Sequence, residues 1–174
     1  MSNAVMLLEK HEYMMLQYLS PDATNIAIRR WDWNGNAPTL AAYLRLKAKT
    51  QQRILDYLNT SPSHLEVDVN GRSFYLVYAW PGENVLDEVW KRPEIGAANP
   101  KPGDQVIIGH TKVLSMIKPE EARIRYAIDL EERGRHLRIL HTPSFVNIDC
   151  GCGYDMPIKA LACIRLEDKE EYYI

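Results

Sequence analysis

The stretch Gln105-Val106-Ile107-Ile108-Gly109-His110-Thr111 decides the fold. Three consecutive β-branched apolar residues after a Pro/Gly-rich run predict a buried strand. Gly109 lets the chain bend sharply at the strand's end, and the bend presents the imidazole of His110. A histidine on the loop leaving a buried strand suits a metal ligand or an acid/base group. A hydrogen-bonded structural histidine fits the same pattern, so both roles stay open at this level.

On the N-terminal side of that strand, Pro93 to Gly103 reads as surface loop, preceded by a short helix around Val85 to Trp90. Further back, Leu65-Glu66-Val67-Asp68-Val69 alternates with period two. Asn70-Gly71 is a strong hairpin signal, and Ser73 to Tyr78 forms the returning strand. Residues Pro21 to Asn59 read as helical, in three pieces: from Pro21-Asp22 to Asn34-Gly35-Asn36, from Thr39 to Leu46, and from Ala48 to Leu58. The second carries Leu40, Tyr43, Leu44 and Leu46 on one side, the third Ile54, Leu55 and Leu58. Trp31 and Trp33 are expected in the core. At the N-terminus, Ala4 to Leu8 reads as a buried strand, and Tyr13 to Leu19 as a deeply packed helix.

Beyond His110, Pro119 to Arg133 predicts a helix, with Pro119 at its first position, Glu120 and Glu121 in its first turn, and Gly134 past its end. The last third is β: Leu137 to His141, Phe145 to Asp149, Ala160 to Leu166 and Tyr172 to Ile174. The glycine-punctuated turn Asp149 to Pro157 brings strand ends close to the loop that carries His110.

At 174 residues the chain is long enough for one domain with a real core. It reads as a single α/β (α+β) domain over 1–174, with a helical insert over about 21–60. The net charge of −2 leaves no footprint for nucleic acid or an acidic membrane surface. No apolar run approaches a membrane span, and no signal-peptide pattern opens the chain. Three cysteines cannot all pair internally, which points to a reducing cytoplasm. Cys150, Cys152 and Cys163 are expected as buried core rather than a zinc site.

Four blocks, in order, carry a resemblance to the C-terminal part of the bacterial PPP-type serine/threonine protein phosphatases, within the calcineurin-like metallophosphoesterases. Val5 to Glu12 resembles the strand and loop that normally read Gly-Asn-His-Glu. Phe74 to Ala79 resembles the strand that normally ends in a ligand histidine. Val106 to Thr111 resembles the late Gly-His-Thr block. Phe145 to Leu166 is similar to the closing Asp-x-Gly-Cys turn and its following strand. The resemblance implies an incomplete calcineurin-like β-sandwich flanked by helices. It also implies two divalent metals of the Mn, Fe or Zn type that clamp a phosphate, with a histidine protonating the leaving alkoxide.

Carried over residue by residue, His110 falls on a metal-ligand position and His11 on the general-acid position. Lys10 stands at a ligand position normally held by asparagine, where its charge would repel a cation. Tyr78 stands at the second ligand histidine's position and is a poor ligand at neutral pH. Arg92 resembles a phosphate-gripping arginine, and Lys112 stands where many relatives have proline. The early Asp-x-His and Gly-Asp-x-x-Asp-Arg-Gly motifs do not occur in the sequence.

The expectation is therefore a truncated phosphatase homologue, a pseudoenzyme as a lone chain, with no tightly bound metal. Two alternatives are a metal-free phosphate- or phosphopeptide-binding module using Lys10, His11, Arg92 and His110, and one half of a split phosphatase. A phosphoprotein is the implied partner. An edge at Val5 to Leu8 would invite self-association or an N-terminal-half partner.

Overall fold

The computed structural model describes residues 4–117, 137–155 and 158–174. The chain divides into two compact units, Met1–Ser63 and His64–Ile174. Among the described residues no helix is long and apolar enough to cross a membrane.

The first unit is helical: α1 (Lys10–Leu19), α2 (Asn25–Trp33), α3 (Ala37–Leu44) and α4 (Ala48–Thr60). The start of α2 is fixed by Thr24, whose side-chain oxygen accepts from the Ala27 N–H at 3.1 Å. Its end is fixed by Gly35, at φ +82°, whose N–H reaches back to the Asp32 carbonyl at 3.2 Å. That is the left-handed stop for which glycine carries no Cβ penalty. Pro38 lies in the first turn of α3, where its missing N–H costs nothing. Among the described residues the unit's buried apolar side chains are Leu8, Met14, Met15, Ala27, Trp31, Tyr43 and Leu58. Tyr18 meets Trp31 edge-on, ring centres 5.0 Å apart.

Three expectations are corrected here. Ala4 to Leu8 forms no strand. The Leu8 N–H donates to the Pro62 carbonyl at 2.8 Å, but that single bond is not a ladder, and Val5 is 62 % exposed. Helix α1 buries only Met14 and Met15, so one face is packed rather than all of it. Of the two tryptophans, Trp31 is core at 1 % exposure while Trp33, two positions on and so on another helix face, is 82 % exposed. Leu44 and Leu46 are exposed as well.

The second unit is built on a five-stranded mixed sheet in the order β1-β2-β3-β5-β4. Its strands are β1 (His64–Val69), β2 (Arg72–Val77), β3 (Asp104–Ile108), β4 (Leu140–His141) and β5 (Phe145–Asn147). Asn70 at φ +53° and Gly71 at φ +75° make the two-residue turn that pairs Val69 with Arg72. The middle strands β2, β3 and β5 run parallel, and β1 and β4 close the edges antiparallel. Short helices α5 (Val85–Trp90) and α6 (Val113–Met116) follow β2 and β3.

Period-two alternation sorts the sheet's side chains onto two faces. Phe74, Ile107 and Val146 join Leu137, Ile139, Cys150 and Ala160 on one. Tyr75, Val77, Trp80, Val106, Ile108 and Phe145 pack on the other. A two-stranded sheet, β6 (Ala162–Ile164) with β7 (Glu171–Tyr173), lays Ala162, Ile164 and Tyr173 against the first face. The architecture is mixed α/β.

The late strands are shorter than their apolar runs suggested. Strand β5 stops at Asn147 because the next residues turn: the Cys150 N–H donates to the Ile148 carbonyl at 2.9 Å, two residues back. Of the three cysteines only Cys150 is buried, and Cys152 and Cys163 are exposed, which corrects the expectation of a shared core position. The expected helix from Pro119 to Arg133, and Gly134 after it, lies outside the described residues.

Candidate functional site

Parallel strands β2, β3 and β5 deliver their C-terminal ends to one edge of the sheet, where ligands of open α/β sheets are generally met. Backbone hydrogen bonds pin the three exits together. The Gly109 N–H donates to the Tyr78 carbonyl at 3.0 Å, and the Ile148 N–H to the Ile108 carbonyl at 2.9 Å. The Val113 N–H donates to the Asp149 carbonyl at 3.0 Å. Asn147, wholly buried, donates its Nδ2 to the Thr111 carbonyl at 2.7 Å. Its Oδ1 accepts from the Asp149 N–H at 2.9 Å. One side-chain amide thus ties the loop after β3 to the loop after β5.

His110 sits at the centre of this edge in an unusual backbone state. Its φ is +61°, and the Thr111 N–H closes back onto the Gly109 carbonyl at 2.6 Å. An i to i+2 bond across a residue of positive φ is the rarer, strained form of the γ-turn. Residues held this way cluster at ligand and active sites, at about 1–3 kcal/mol each. The ring itself is buried. The Tyr78 hydroxyl lies 3.2 Å from His110 Nδ1, and the two rings are 5.0 Å apart.

Asp149 leaves β5 beside this turn. Burial raises its carboxyl pKa; the Gly151 N–H that donates to Oδ1 at 3.0 Å and the charges of Lys112 and Arg92 act the other way. Lys112 lies two residues beyond His110, its Nζ 3.9 Å from the centre of the Tyr154 ring. Arg92 follows α5, which is tied to the exit of β2 by the Ala79 N–H on the Glu88 carbonyl at 2.9 Å.

Among the expected site residues, the structure brings Tyr78 and His110 into contact, with Arg92 in electrostatic range of the same edge through Asp149. Lys10 and His11 belong to the first unit, in the opening turn of α1. Lys10 Nζ donates to Asn34 Oδ1 at 3.3 Å. The His11 imidazole has its pKa lowered by burial and by the Lys10 charge, against the opposing pull of Glu12. Sequence reasoning missed Asp149, Asn147 and Tyr154 as site residues. Their only signal was membership of the glycine-punctuated turn, since their neighbours come from strands distant in sequence.

The two-metal group implied by the resemblance requires several carboxylates and imidazoles converging on each ion. Among the described residues no group of three or more His, Cys, Asp or Glu side chains is placed to hold a metal. The phenol of Tyr78, a weak donor while protonated, occupies the place beside His110. The described donor set does not fit that group. No family model matches the chain, and no curated protein matches it either.

Proposed function

We propose that this chain is a homologue of the PPP-type serine/threonine protein phosphatases, on an incomplete calcineurin-like β-sandwich, that recognises phosphate but does not hydrolyse its esters as a lone chain. The observation that carries this reading is the Tyr78 hydroxyl 3.2 Å from His110 Nδ1, on the strained turn leaving β3. The turn puts a buried imidazole at the strand ends, the place where the family does its chemistry. The phenol supplies a hydrogen bond where hydrolysis needs another ligand.

Recognition without hydrolysis is favoured by the charges at the same edge. The charges of Lys112 and Arg92 both act to lower the Asp149 pKa, so the edge carries two cations within electrostatic range of one carboxylate. Guanidinium and ammonium groups are the usual partners of phosphate oxygens.

The test has two arms. With excess manganese, the purified chain should hydrolyse para-nitrophenyl phosphate no faster than a variant carrying both His11→Ala and His110→Ala. In parallel, calorimetry should detect phosphate binding that persists in excess chelator. Metal-dependent turnover that disappears in the double variant would overturn the non-hydrolytic part, and the lack of any phosphate binding would overturn the recognition part.

A further inference from the structure

The helical unit carries a ridge that its own core does not use. From the end of α3 into α4, seven consecutive residues, Leu44 to Thr50, are all exposed. Six of them alternate apolar with basic: Leu44, Arg45, Leu46, Lys47, Ala48, Lys49. Helix geometry extends the ridge along α4, where Lys49, Arg53 and Tyr57 follow at i, i+4 and i+8, each exposed. Leu58, the residue that α4 buries, lies on a different face. The turn at the head of the ridge is held from inside. The Leu46 N–H donates to the Tyr43 carbonyl at 3.0 Å, and Gln51 Nε2 donates to the same carbonyl at 3.0 Å. Tyr43 is buried, whereas Leu44 is 62 % exposed and Leu46 also stands out.

The charge on this ridge has one sign. Between Arg45 and Arg53 there are four cations and no carboxylate. Among the described residues none of the four takes part in an ion pair. The one carboxylate of α4, Asp56, accepts from Gln52 Nε2 at 2.8 Å. The chain's net charge of −2 conceals the ridge, because most carboxylates lie elsewhere in the sequence. Cations interleaved with exposed leucines and a tyrosine match the three layers of a lipid–water boundary. Cations meet the headgroup phosphates and carboxylates, leucines reach the acyl boundary, and the phenol lies between. A nucleic acid would use the cations but has no place for two leucines. A folded partner or a peptide would need a groove to seat in, and a turn exposed at every residue offers none.

We infer that the ridge Leu44 to Lys49, continued by Arg53 and Tyr57 of α4, docks on an anionic lipid surface, with Leu44 and Leu46 entering the headgroup layer between the cations. The contact is peripheral and reversible, since two leucines bury far less apolar surface than a spanning helix does. Its electrostatic part is screened by salt, because every cation in it is exposed. It involves no residue of the sheet edge around His110, so it stands or falls independently of phosphate recognition there.

The experiment is co-sedimentation of the full chain with phosphatidylcholine vesicles, with and without about 30 % phosphatidylserine. Wild type is expected to bind only the anionic vesicles, and less as salt rises from about 0.1 M to about 0.5 M. Lys47→Ser combined with Lys49→Ser should weaken binding about tenfold or more, whereas Lys47→Arg combined with Lys49→Arg should keep it. Leu44→Ser combined with Leu46→Ser should also weaken it about tenfold, with the salt dependence retained. All four side chains are exposed, so the melting temperature should not move in any of these variants. No binding to anionic vesicles, or equal binding to both kinds, would overturn the proposal. Anionic-vesicle binding that neither serine pair weakens would show that this ridge is not the site. Binding lost in the lysine pair but intact in the leucine pair would overturn the entry of the leucines. Duplex DNA bound as tightly as the vesicles, and equally by the leucine pair, would mark a polyanion site and overturn the lipid assignment.

Discussion

The hydroxyl of Tyr78 meets Nδ1 of His110 at 3.2 Å, across two adjacent parallel strands whose exits are stitched by the Gly109 N–H on the Tyr78 carbonyl. The backbone bond fixes the register, and the register brings the two rings together. One more residue on either strand would turn one ring to the opposite face. The imidazole is thus held from two sides, by its own strained turn and by the Tyr78 phenol.

Strain at His110 gives the first prediction. A side chain at φ +61° carries a Cβ penalty of about 1–2 kcal/mol that glycine avoids. His110→Gly and His110→Ala both remove the ring and its contact with Tyr78. The glycine variant should nonetheless be the more stable of the two, by about 1 kcal/mol. Urea denaturation with equal slopes would read this directly. An alanine variant as stable as the glycine variant would mean that the turn relaxes once the ring is gone.

A second prediction concerns the ligand set. Lys10→Asn combined with Tyr78→His restores residue types at both degenerate positions. In the wild-type chain the described residues bring no group of three or more His, Cys, Asp or Glu side chains together, and one added imidazole supplies too few ligands to hold an ion tightly. The double variant alone should therefore show no tight manganese or zinc binding by calorimetry. Submicromolar affinity in that variant would reveal donors that the present account lacks.

Local signals carried most of the fold. Asn70-Gly71 specified its hairpin because a two-residue turn with positive φ demands those residue types, and the register followed. Asn34-Gly35-Asn36 marked the end of α2 for an equally local reason, whereas its start lies at Asn25 behind the Thr24 cap and not at Pro21-Asp22 as expected. What failed were inferences that need the partner surface. Ala4 to Leu8 is apolar, but a strand requires a neighbour with free donors and acceptors, and among the described residues Leu8 meets a carbonyl at Pro62 without a ladder forming. Trp33 is as apolar as Trp31, yet two steps along a helix turn a side chain by about 200°. At the candidate site His110 was legible from its strand. Asp149 and Tyr154 were not, because their role arises where β5 lies beside β3, and sequence separation hides that contact.

Asp149 gives a prediction in pH. Burial raises its folded carboxyl pKa above the ordinary 3.8, outweighing the Gly151 N–H and the charges of Lys112 and Arg92. Between the unfolded and the folded value the native state therefore binds more protons than the unfolded chain. Stability contributed by this group must then fall as pH rises through that window, and flatten above it. Asp149→Asn keeps an oxygen for the Gly151 N–H and removes the titration. The stability of wild type relative to this variant should decline with rising pH from about 3.8 upward, as read by denaturant melts in a pH series. A difference that grows with pH in that range would show that the cations, not burial, dominate.

The last prediction lies beside the site, at the buried acid of α5. Glu88 Oε1 accepts from the wholly buried Tyr75 hydroxyl at 2.6 Å, and His64 Nδ1 lies 3.1 Å from Oε2. The His64 ring stacks on Tyr75 at 4.8 Å, and Lys101 Nζ lies 4.3 Å over the same ring. Burial and then Glu88 push the Tyr75 phenol well above its ordinary pKa, so it stays a donor throughout the physiological range. Removing the acceptor strands that donor in a place water does not reach. Glu88→Ala should cost about 1–3 kcal/mol through the stranded hydroxyl alone, in addition to lost packing. In a Tyr75→Phe background there is no hydroxyl to strand, so the same change should cost less. A double-mutant cycle in urea should return a coupling of about 1 kcal/mol or more between the two positions. The same helix leads into Arg92, so Glu88→Ala should also weaken phosphate binding, whereas Tyr75→Phe, which keeps the carboxylate on His64, should not. A coupling near zero would show that water reaches the hydroxyl and that Glu88 does not anchor α5 to the sheet.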